Sequence, residues 1–211
     1  MKNISTRRVN SYPDVDRELD NLRGLIKTIP DDSASISGIN GLGLFRSKEI
    51  KVISNTSAET TTKATVYRGD STIPANFINI GDKIVIKAMG YLSTTGTPTS
   101  TIRIKFNNTS LITNTSTLLL NMSNQYFDLL VEIVCLDTGL NGKFFLCGRT
   151  IIQGGVGITT SSIRGLVNTS SNTVDTTNKQ LIDLTYQWGT ASASNVLNVV
   201  NSEIYIIKDL S

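Results

Sequence analysis

The chain has 211 residues and a mass of 22.9 kDa, with 39% apolar and 18% charged side chains, which gives room for one β domain of ordinary size plus an appendage. Histidine is absent, which removes the commonest general base and the commonest metal ligand together, and the net charge of +3 is spread along the chain with no concentrated basic surface for nucleic acid. No run approaches the roughly 18 apolar residues of a membrane helix, and no apolar core follows Lys2, Arg7 and Arg8 as it would in a secretory signal.

Residues 1–11 are polar, basic and without period, and read as a flexible basic attachment arm that orders on a partner. From Tyr12 to Ile29 the apolar residues Val15, Leu19, Leu22, Ile26 and Ile29 are spaced 4, 3, 4, 3. That is a heptad seam, with Leu19 and Ile26 at a and Val15, Leu22 and Ile29 at d. Glu18 at g and Arg23 at e take the positions where charges of neighbouring helices meet. So short a helix is marginal alone in water, so the pattern predicts self-association. Leu25 at g widens the stripe and favours three strands over two. Pro30 ends the helix, so residues 12–30 are expected to form a trimeric coiled-coil stalk.

Residues 31–45 are rich in Gly and Ser and are expected to be a neck. From Arg46 onward Thr, Asn and β-branched residues predominate, with turn signals about every 8–12 residues, as in an all-β sandwich or barrel. The head is therefore placed at 46–211. In Lys83–Leu92, Ile84, Ile86, Ala88 and Leu92 alternate with outward Lys83, Lys87 and Tyr91. In Thr101–Phe106, Ile102, Ile104 and Phe106 alternate with Arg103 and Lys105. The intervening turn signals predict that these two strands form a hairpin. A second hairpin is expected from Phe127–Cys135 and Phe144–Ile152, joined through Asn141-Gly142.

The last strand, Asn195–Ile207, looks apolar on both faces. Val196, Val200, Ile204 and Ile206 line one, and Leu197, Val199, Tyr205 and Ile207 the other. Burial on both sides predicts a neighbouring subunit against the second set. Cys135 and Cys147 lie inside strand-like runs and read as buried free thiols in preference to a disulfide.

Several short motifs carry tempting chemistry. Arg68-Gly69-Asp70 spells an integrin tripeptide, but Gly-Asp suits a turn. Gly154-Gly155-Val156-Gly157 lacks the Lys-Ser/Thr of a phosphate loop. Sequons such as Asn108-Thr109-Ser110 and Asn114-Thr115-Ser116 follow from the Asn- and Thr-rich composition. Asp128, Glu132, Asp137, Asp175 and Asp183 are scattered, whereas a glycosidase needs two carboxylates roughly 5–9.5 Å apart; no enzyme is expected. Trp188 is a sugar-stacking platform or, more simply, core or a subunit contact. If the Lys83 and Thr101 strands pair, Lys83, Lys87, Arg103 and Lys105 share one face. That basic patch suits weak multivalent binding of surface glycans, with a solvated outer face as the simpler reading.

The segment Thr72–Phe106 followed by Val174–Ile207 resembles a β domain found in many phage and prophage virion proteins. The markers are Ile73-Pro74-Ala75-Asn76, Gly81-Asp82-Lys83 and Gln187-Trp188-Gly189 through Asn195, in the same order and spacing. The resemblance spans Ile50–Ile207 and implies a homotrimeric antiparallel β-sandwich, a jelly roll of the tumour-necrosis-factor type, at the end of a fibre or spike. An arm, one short stalk and one head make a stubby object, similar to the head fibre of crAss-like phages; the alternative is the receptor-binding tip of a tail fibre. The expected place is the virion's capsid surface, after synthesis in the bacterial host cytoplasm. The expected partners are two further copies, phage capsid proteins gripped through Lys2, Arg7 and Arg8, and host or mucosal glycans. Neither cofactor, metal, nucleic acid nor membrane is expected.

Overall fold

A computed structural model describes residues 41–118, 121–153, 161–168 and 173–209. The arm residues Lys2, Arg7 and Arg8, the stalk positions Val15, Leu19, Leu22, Ile26 and Ile29, and Gly154–Gly157 lie outside them. The described residues form fourteen strands. The first seven are β1 (Gly41–Ser47), β2 (Lys51–Ser54), β3 (Thr60–Thr61), β4 (Tyr67–Gly69), β5 (Thr72–Ile73), β6 (Lys83–Ser93) and β7 (Thr99–Phe106). The rest are β8 (Thr109–Thr117), β9 (Gln125–Asp137), β10 (Gly142–Gln153), β11 (Ser161–Val167), β12 (Thr173–Val174), β13 (Gln180–Trp188) and β14 (Val196–Ile207).

Two antiparallel sheets result. The larger runs β11-β10-β9-β6-β14-β1-β4, with β12 beside β10 and β2 beside β14. The smaller runs β3-β13-β7-β8, with β5 beside β13. Period-two alternation sends one side chain in two to the space between the sheets. From the larger sheet come Ile84, Ile86, Phe127, Leu129, Val131, Ile133 and Leu146, and from the smaller Ile104, Phe106, Ile182, Leu184, Tyr186 and Trp188, all at most 2% exposed. They form one apolar cluster. Phe106 stacks on Phe144 of the opposite sheet with ring centroids 5.0 Å apart. Each buried Ile, Leu or Phe contributes about 1.5–3 kcal/mol relative to exposure. The described residues form an antiparallel β-sandwich.

The β9–β10 hairpin forms as the alternation predicts, in register from Phe144 opposite Cys135 to Ile152 opposite Phe127. The predicted hairpin of β6 with β7 does not form. β6 lies between β9 and β14, and β7 between β13 and β8. Residues 94–98 carry the chain across from one sheet to the other. Buried Thr94 anchors that crossing, with its amide on the Met122 carbonyl at 2.8 Å and its Oγ1 accepting from the Met122 amide at 3.1 Å. Both strands feed the same core from opposite sides. Alternation shows which face is buried, but not which sheet a strand joins.

The two-faced last strand has a different cause from the one expected. Val199 pairs with Gly90 and Asn201 with Met89, so Val200 is an extra residue in β14. Such a bulge reverses which side chains face inward. Before it Leu197 and Val199 are buried, after it Ile204 and Ile206. Four apolar residues that seem to lie on opposite faces thus share the one core. Tyr205 and Ile207 point outward, the latter 37% exposed. Gly90 makes the bulge possible, because a Cβ there would lie 1.8 Å from the Asn198 carbonyl oxygen.

One boundary and one thiol also differ from expectation. β1 begins at Gly41, opposite Ile207 of β14, so the sandwich starts inside the stretch read as neck. Cys135 and Cys147 are both unpaired, as expected, but Cys147 is exposed on the outward side of β10.

Candidate functional site

The residues that carry the family resemblance sit at joints of the sandwich. Asn76 adopts φ 56° in the turn after β5, and its amide donates to the Thr176 carbonyl at 2.9 Å. Asp82, fully buried, accepts from the Asn79 amide at 2.7 Å, the Asp209 amide at 2.9 Å and Lys208 Nζ at 2.6 Å. Trp188 is also fully buried; its Nε1 donates to the Ile53 carbonyl at 3.1 Å and its ring meets Tyr186 edge-on at 5.0 Å. It is core, and no sugar can reach it. Asn195, 2% exposed, accepts from the Thr95 amide at 3.1 Å.

The four basic residues expected to share a patch are divided between the two sheets. Lys83 and Lys87 point outward from β6, and Arg103 and Lys105 outward from β7. Each pair has its own partners. Lys83 Nζ is 4.0 Å from Glu132, and Lys87 lies 5.3 Å from the Tyr205 ring centroid. Tyr205, and to a smaller degree Glu203 and Asp128, hold the Lys87 ammonium above the ordinary lysine range. Lys105 Nζ is 3.1 Å and Arg103 Nη1 3.6 Å from the Glu59 carboxylate. The expected patch rested on the hairpin that does not form.

The Glu59 cluster was not foreseen from the sequence. Glu59 Oε1 accepts from Thr185 Oγ1 at 2.7 Å as well as from Lys105. Burial pushes its carboxyl up, but the hydrogen bonds from Thr185 and Lys105 and the charges of Lys105 and Arg103 together pull it below the ordinary value of 4.5. Beside it Asp183 accepts from Thr61 at 2.7 Å and faces Lys63 at 3.6 Å. Glu59 lies in the loop before β3, far from its partners in sequence, and no local pattern marks it.

The other singled-out groups resolve simply. Arg68-Gly69-Asp70 is a turn out of β4, with Gly69 at φ 75° and Asp70 Oδ1 accepting from the Thr72 amide at 2.9 Å. Asp128 and Glu132 share the outward side of β9 four residues apart, a separation of roughly 13 Å along a strand and too long for a paired-carboxylate site. Asp175 accepts from Thr177 Oγ1 at 2.6 Å, which holds its carboxyl low, within a tight turn. Among the described residues no group of three or more His, Cys, Asp or Glu could hold a metal ion, and no helix is long and apolar enough to cross a membrane.

The two outward faces differ in kind. The smaller sheet presents Thr101, Arg103, Lys105, Thr113, Thr115, Asp183, Thr185 and Gln187. The larger presents Val52, Met89, Tyr126, Phe145, Ile163, Val167, Val200 and Ile207, each 37–69% exposed.

Comparison with protein-family models finds no match, and comparison with curated proteins finds none. Among solved structures, the CBM2 module of Lactobacillus casei BL23 phage J-1 evolved Dit is similar at 10% identity with a TM-score of 0.32. The match covers 83% of this chain and 82% of that one. At that TM-score the likeness carries no weight for function.

Proposed function

We propose that this chain is a structural protein of a phage virion: a homotrimeric head fibre with a jelly-roll-like head, behind a short coiled-coil stalk and a basic arm that docks on the capsid. The observation that carries the reading is where the resemblance residues act. Asn76, Asp82, Trp188 and Asn195 are each engaged in joining turns and sheets, which suits a scaffold displayed on a surface. The heptad seam at Val15–Ile29 precedes that scaffold, as a stalk precedes a head. The proposal assigns the chain no catalysis. A glycan patch of Lys83, Lys87, Arg103 and Lys105 is not part of it, because the sandwich separates these residues.

The test is a chain lacking residues 1–11, together with immunogold labelling of virions. The shortened chain is expected to remain trimeric by sedimentation and to be missing from capsids, while the full chain puts gold on the head. Normal decoration by the shortened chain overturns the anchor at Lys2, Arg7 and Arg8. Gold on the tail instead makes the chain a receptor-binding tip, and the purified protein should then block adsorption to host cells.

A further inference from the structure

We infer that the outward face of the nine-stranded sheet is where three copies of this chain meet, and that the outward face of the smaller sheet is turned to solvent. The inference rests on the homotrimer proposed above and adds the surface that forms it. Met89, Tyr126, Phe145, Ile163, Val167 and Val200 project from one sheet face, between 38% and 69% exposed. They come from five different strands, so they are spread over the face and are not one stray apolar run. On the smaller sheet's outward face Leu181, 40% exposed, is the comparable side chain among the described residues. An apolar-rich face opposite a polar one marks a surface that is covered in the working state.

Two observations point to another copy as the cover. First, the face carries charges of both signs: Lys83 with Glu132 at 4.0 Å and Arg46 with Glu203 at 3.2 Å, beside Lys87, Asp128 and Arg149. Copies of a face of mixed sign meet with opposite charges offset against each other, whereas a partner of strong single charge finds no complement. Second, β1 belongs to this sheet, and only residues 30–40 separate it from the last apolar position of the heptad seam. A tether of that length spans at most about 40 Å. Copies gathered at the seam therefore hold their heads at high effective concentration, where even a weak face-to-face contact forms.

Cys147 is a natural reporter. It is exposed in the single chain and lies on this face, in register with Glu132 on one side and Val167 on the other. Cys135, 1% exposed, does not compete for label. The experiment uses the full chain, with its oligomeric state fixed by sedimentation, and follows maleimide labelling. In the trimer, Cys147 should label about tenfold more slowly than in a Phe145→Arg/Val200→Glu variant, because thiol reactivity follows access. A Thr115→Cys substitution on the opposite sheet should label fast in both. Ile163→Arg, at the most exposed of the six positions, gives the same comparison if the double variant does not fold.

Fast labelling of Cys147 in an intact trimer overturns the face assignment and leaves the trimer standing. A monomer at every concentration overturns the trimer itself. Slow labelling in a monomer means that the chain's own residues cover the face, and overturns the second copy as occupant.

Discussion

Lys208 sets its ammonium 2.6 Å from Asp82 Oδ2, tying the end of β14 to the turn that starts β6. The carboxylate is fully buried, and the same ammonium donates to the Phe77 carbonyl at 2.7 Å and lies 4.4 Å from the Phe77 ring centroid. Removing one member of a buried pair strands the other. Asp82→Ala should therefore cost about 3 kcal/mol, the low end for a buried pair, because Lys208 keeps some access to water. Lys208→Met should cost at least as much, since it leaves the Asp82 charge uncompensated. The double variant Asp82→Ala/Lys208→Met is expected to cost less than the sum of the two single losses. Urea titration of all three checks the coupling; simple additivity would show that the pair does not act as a unit.

Gly90 offers a second test. Its missing Cβ leaves room for the Asn198 carbonyl oxygen at the β14 bulge. Gly90→Ala should destabilise by roughly 3 kcal/mol, the upper end for overpacking, because the obstacle is backbone that cannot turn aside. Gly165→Ala, where a Cβ meets nothing within 4 Å, is the matched control and should be near neutral. Thermal melts of the two variants give the comparison directly.

The Glu59 cluster predicts an acid-sensitive contribution. The folded-state carboxyl titrates below its ordinary value of 4.5, so its stabilisation is present above that pH and is lost as pH falls through the folded value. Glu59→Gln should cost about 0.5–1 kcal/mol at neutral pH, the scale of partly exposed ion pairs. The gap between wild type and variant should close in urea titrations below pH 4.5 and narrow in high salt. A gap independent of pH would mean that the residue acts through packing alone.

Trp188 is the single tryptophan, and it is fully buried. Native fluorescence should be blue-shifted, resistant to aqueous quenchers and indifferent to added oligosaccharides. Trp188→Phe leaves the Ile53 carbonyl without its donor and should cost about 1–3 kcal/mol from that loss alone. Quenching by a sugar in the folded state would contradict the core assignment.

Much of the sandwich is legible in the sequence, and what is hidden has a common cause. Phe127–Cys135 and Phe144–Ile152 pair as their alternation and the Asn141-Gly142 turn predict, because a tight hairpin is local information. Partnership at a distance is not. The turn between Ser93 and Thr99 looks the same whether the chain returns beside β6 or crosses to the other sheet. A return beside β6 would create a hairpin and gather four basic residues; the crossing keeps them apart. At Val200 a single inserted residue made one buried face look like two. Glu59 carries no local mark because its partners Arg103, Lys105 and Thr185 lie on strands from the middle and end of the chain.

β14 lies at the centre of the larger sheet, with β6 on one side and β1 and β2 on the other, and the ribosome makes it after every strand it joins. Until it emerges, β1 and β2 have no neighbour along that edge, and β6 has β9 alone. The sheet therefore cannot be completed from its beginning while synthesis proceeds, and the many distant pairings make its closure slow. A chain interrupted before Val196 lacks the strand that unites the rest, and Lys208 to lock it. Prematurely ended copies should be cleared as unfolded chains, so that only copies carrying the full strand set persist.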